Sequence, residues 1–92
     1  MAFPFFGGNK LTTENKLIRK FNSYKQERET LEAEMDRIAA QTLNVTKLMG
    51  SGRIPKSAGN KELTELKAQM RDTIKKAIKV NKILTDLLLK IT

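Results

Sequence analysis

Gly50-Ser51-Gly52-Arg53-Ile54-Pro55-Lys56-Ser57-Ala58-Gly59 is the stretch on which the fold of this chain turns. Three glycines and a proline within ten positions interrupt any helix entering them. On the N-terminal side runs a ladder of Leu17, Phe21, Tyr24, Arg28, Leu31, Met35, Ile38, Thr42, Val45 and Met49. On the C-terminal side runs a second, of Leu63, Leu66, Met70, Thr73, Ala77, Val80, Leu84, Leu87 and Ile91. Steps alternate between three and four, a period that keeps one face of a helix against a partner helix. The spacing predicts an all-α protein: helices over 12–49 and 60–91, a loop over 50–59, and an antiparallel two-helix hairpin of coiled-coil type.

The local signals at the helix ends agree with that division. Thr12 or Thr13 can serve as N-cap of the first helix, with Glu14 near the positive end of its dipole. Gly50 is a candidate left-handed C-cap, and Asn60 a candidate N-cap of the second helix. Charge selects the antiparallel arrangement. Residues 27–36 hold Glu27, Glu29, Glu32, Glu34 and Asp36 against Arg28 alone. Folding about the loop brings them opposite residues 74–83, which hold Lys75, Lys76, Lys79 and Lys82 and no acid. Each exposed pair contributes at most about 1 kcal/mol, so the blocks choose orientation more than they stabilise. Arg28, Thr42 and Thr73 interrupt the seam, where polar residues commonly fix register.

A chain of 92 residues has room for one domain, and one apolar stripe per helix makes a thin core. Such a hairpin is expected to complete a bundle by oligomerising or by docking on a partner. Cysteine and histidine are both absent. Thiolate chemistry, disulfides and the commonest general base and metal ligand are therefore excluded. The carboxylates of residues 27–36 lack the Glu-x-x-His pairing of a di-metal bundle site, and Gly50-x-Gly52 lacks the lysine and preceding strand of a phosphate loop. No catalytic residue, metal site or cofactor is expected, and the protein is read as non-enzymatic.

Residues 1–10 read as an extended arm, with Phe3, Phe5 and Phe6 beside Pro4 and a Gly7-Gly8 hinge. The second helix carries more apolar residues than one seam needs: Ile74, Ile78, Ile83, Leu88 and Leu89 fall off its ladder. In a hairpin, its C-terminal part lies beside Leu17, Ile18 and Phe21, at the end where the arm emerges. These features predict a protein-interface region comprising Phe3, Phe5, Phe6, Leu17, Ile18, Phe21, Ile74, Ile78, Leu84, Leu87, Leu88 and Ile91, with a protein partner or a second copy as occupant.

A net charge of +8, from 18 basic and 10 acidic residues, favours anionic partners. Lys67, Arg71, Lys75 and Lys79 form an i, i+4 ladder with Lys82 nearby, a candidate nucleic-acid-binding line without aromatics for base stacking. Residues 74–91 also have the composition of a cationic amphipathic helix suited to a membrane surface, although no tryptophan is present. No apolar run reaches the roughly 20 residues of a membrane span, and Phe3-Pro4-Phe5-Phe6 is too short for a signal-peptide core. The expected location is the cytoplasm or the interior of a particle or complex. In length and topology the hairpin resembles the Trp-x-Gly proteins of type VII secretion. Gly50-Ser51-Gly52 stands where that family has its Trp-x-Gly turn, and the positive charge also departs from it, so no functional residue is carried over. The function expected from these readings is that of a structural or adaptor subunit of a multi-protein assembly, such as a virus or phage particle or a secretion machine. Non-specific nucleic-acid packaging and membrane-surface binding are the alternatives.

Overall fold

The computed structural model describes the backbone of residues 8–92 and the side chains of residues 15–92. It consists of two helices, α1 (Gly8–Gly50) and α2 (Lys56–Ile91), packed side by side as an all-α hairpin. Met49 lies against Gly59, Arg28 shares a groove with Asn81, and Phe21 shares it with Leu88. Position i therefore faces about position 109 minus i along the whole hairpin, in the antiparallel sense that the charge blocks require.

The core is a single stripe. Ile38, Val45 and Leu66 are its buried centre, with Met49, Ile54, Leu63 and Met70 packed around them. Ile38 is the most enclosed, at 1% exposed. Toward the open end the stripe continues on α2 through Thr73, Ala77, Val80, Leu84 and Leu87, all buried. Their counterparts on α1 (Leu17, Phe21, Tyr24, Arg28, Leu31 and Met35) are only half-buried. Small α2 residues such as Thr73 and Ala77 are buried in the seam, whereas the larger α1 side chains of the same stretch keep part of their surface exposed. The seam threonines cost little: the Thr42 hydroxyl donates to the Ile38 carbonyl and the Thr73 hydroxyl to the Gln69 carbonyl, each at 2.8 Å.

The turn differs from the sequence expectation in three ways. The left-handed residue is Gly52, with φ of 76°, and Gly50 is still helical. The Arg53 N–H donates to the Leu48 carbonyl (3.0 Å) and the Gly52 N–H to the Met49 carbonyl (3.1 Å). That pair of bonds is the Schellman motif, with Gly52 at the position that needs positive φ. Second, α2 begins at Lys56, not Asn60, because Pro55 is its N-cap: extended at φ −64° and ψ 147°, it ends the turn and opens the helix. Gly59, read as loop, is thus a buried residue inside the first turns of α2. A Cβ there would overlap Cγ and Sδ of Met49, so the glycine lets the helices approach just after the turn.

At the other end, α1 begins at Gly8 and places Thr12 and Thr13 inside the helix, where the sequence reading had them as caps. No helix breaker lies between Asn9 and Met49, so a helix once started there has no reason to begin later. Of the expected arm, residues 1–7 lie outside the described residues.

Candidate interaction surface

Two long grooves run beside the seam, and helical geometry puts them on one face. The first lies between Thr42, Leu43 and Thr46 of α1 and Leu63, Leu66, Lys67 and Met70 of α2. The second lies between Phe21 and Arg28 of α1 and Asn81, Leu84, Thr85 and Leu88 of α2. Each α2 residue of the second groove is 18 positions after its counterpart in the first. Eighteen residues are five turns at 3.6 residues per turn, so both grooves open on the same side. Ile74 and Ile78 occupy the same arc of α2 between them and are exposed. The outcome is a mostly apolar strip along one broad face, with Leu43 at 63% and Ile78 at 62% exposed.

The opposite face carries a polar network. There the Arg37 guanidinium pairs with both oxygens of Glu34, with Nε 3.2 Å from Oε2, and its Nη1 donates to Gln41 Oε1 at 2.8 Å. Gln69 of α2 borders the same network. The Arg37 hydrogen bonds hold the Glu34 carboxyl below its ordinary pKa, against some desolvation, and Lys76 of α2 adds a smaller pull in the same direction. The same bonds raise Arg37. Among the described residues the ion pairs, Arg28–Glu32 (3.7 Å) and Arg37–Glu34, both lie within α1. The opposed charge blocks therefore act between the helices as a field, without direct bridges.

The predicted interface residues separate into three groups. Phe3, Phe5 and Phe6 lie outside the described residues. Ile18, Ile74, Ile78, Leu88 and Ile91 are exposed, and Leu17 and Phe21 are half-buried. Leu84 and Leu87 are buried in the hairpin's own seam, at 5% and 6% exposed, and Leu84 also lines the second groove. Both belong to the second ladder, so their place in the seam was visible in their spacing. Leu43 was missed. Its signal was weak: one apolar residue off the ladder, which becomes part of a strip only when α2 supplies Leu63 and Met70 across the groove.

Lys67, Arg71, Lys75, Lys79 and Lys82 are all exposed. They do not all lie on one side of α2. Successive steps of four residues advance about 40° around a helix, so the ladder starts in the groove at Lys67 and reaches the outer side of α2 by Lys79. A further hollow is bordered by Lys16, Leu17, Arg19 and Lys20. Among the described residues no three acidic side chains converge as a metal site would need. Neither described helix is long and apolar enough to cross a membrane. Compared with known protein families, curated proteins and solved structures, the chain matches none.

Proposed function

We propose that the chain is a non-enzymatic structural or adaptor subunit of a multi-protein assembly, held there through the apolar face of its hairpin. The observation that carries this reading is the strip of Leu43, Ile74, Ile78 and Leu88, exposed along one face, while the other face carries the Arg37 polar network. Contiguous apolar surface of this kind marks interaction sites. Phe3, Phe5 and Phe6 would supply an anchor at the open end.

Size fractionation of an extract from the source, followed by detection of the chain, tests this. A subunit elutes far above the mass of one or two chains, and replacing Leu43 and Ile78 by lysine returns it to low mass with helicity unchanged. Removal of residues 1–8 weakens incorporation without loss of helix. Elution of the native chain at the mass of one or two copies would refute the assembly reading.

The net charge and the exposed lysines support a second reading, non-specific binding of nucleic acid. It requires a salt-sensitive association that disappears when Lys67, Arg71, Lys75 and Lys79 are neutralised. Binding unchanged in that variant dismisses it.

A further inference from the structure

We propose that the apolar face is covered by a second copy of this chain, related by a two-fold axis along the hairpin so that both turns lie at the same end. This rests on the face being a docking surface and names its occupant. The hairpin measures 72 × 21 × 15 Å, which is one helix layer thick. Small folds bury their stripes between two layers, and a second hairpin laid on the strip supplies the missing one as a four-helix bundle. The face over which both helices run side by side, residues 17–50 of α1, is about 50 Å long at 1.5 Å per residue and 21 Å wide, more than the roughly 800 Å² that each partner of a standard interface buries.

Charge selects the orientation. A two-fold axis that packs this face on itself runs either along the hairpin or across it. An axis across it lays α1 antiparallel on the partner's α1 and sets the carboxylates around Glu32 and Asp36 against their own copies. An axis along the hairpin lays α1 on the partner's α2 at the same height, because position i then meets a position near 109 minus i of the partner as well. Glu32 and Asp36, on the α1 side nearest this face, then lie across from Arg71 and Lys75 of the second copy, neither of which is in an ion pair among the described residues. Every neighbouring helix pair in the resulting bundle is antiparallel, and like grooves meet, with Leu43 of each copy at the height of Leu66 of the other.

The absence of cysteine makes the test direct. Ser57 is exposed beside the turn, so spin-labelled Ser57→Cys carries one label per chain at a known end. Sedimentation over a dilution series is expected to show a dimer, and the interspin distance to lie below about 35 Å, a few helix diameters. Leu43→Lys with Ile78→Lys is expected to raise the dimer dissociation constant about a hundredfold while the circular dichroism stays helical. A monomer at every concentration overturns the proposal, as does a dimer whose labels approach the 72 Å length of the hairpin. Either failure leaves the assembly reading to the extract experiment. Conversely, a turn-to-turn dimer that is also the whole native particle supports this proposal and refutes that reading.

Discussion

Gly50, Gly52 and Gly59 sit within ten residues and do three different things. Only Gly52 has positive φ, a conformation that costs a residue with a Cβ about 1 kcal/mol. Gly52→Ala should lower stability by about that amount, whereas Gly50→Ala, helical and with open space around its Cβ, should raise it by up to about 1 kcal/mol. Paired denaturant titrations check this, and equal effects at both positions would contradict the assignment of the cap. Gly59→Leu should cost about 2 kcal/mol by displacing Met49, and Met49→Ala should recover part of that loss. An additive double variant would mean that the close approach is not there. These roles were poorly legible beforehand. Gly-Ser-Gly offers two candidate caps of identical chemistry, and only the hydrogen bonds from Gly52 and Arg53 back to Met49 and Leu48 decide between them. The need for glycine at 59 depends on a side chain ten positions away across the register.

The two helices were legible as elements because their ladders repeat for eight or nine steps, and periodicity sustained that long outweighs individual interruptions such as Arg28 or Thr73. Their starts were not, since Pro55 reads equally as a loop residue and as the residue before a helix. At this scale the seam and the strip should respond oppositely to substitution. Leu66→Ala removes a buried side chain from the core and should cost about 2–3 kcal/mol, while Ile78→Ser on the isolated chain should stay within about 0.5 kcal/mol. Thermal melts at high dilution measure both, and a large loss from Ile78→Ser would place that residue in the hairpin core. The Glu34–Arg37 pair has a defined pH sign. Because the folded chain lowers the Glu34 pKa, its stabilisation is present above the ordinary value of 4.5 and is lost as the pH falls through the lower folded value. The stability difference between wild type and Glu34→Gln should therefore shrink on acidification through that window. A difference independent of pH would show that the pair contributes nothing through charge.

As a whole molecule the chain is one layer of helix with two unlike faces. Glu34, Arg37 and Gln41 form a polar network on one of them, and Leu43, Ile74, Ile78 and Leu88 leave the other apolar. The apolar excess of α2 could be read from sequence alone. Its joining with Leu43 into one strip could not, because that requires the register between two helices to within about one residue. We propose that this strip is covered in the native state. Leu43→Cys gives a cysteine-free chain one reactive thiol at the middle of the first groove. Its rate of reaction with a maleimide should be measured in the native particle and in the isolated chain diluted until monomeric. Strong protection is expected in the particle and rapid labelling after dilution; equally rapid labelling in both would mean that the strip is bare in the native state.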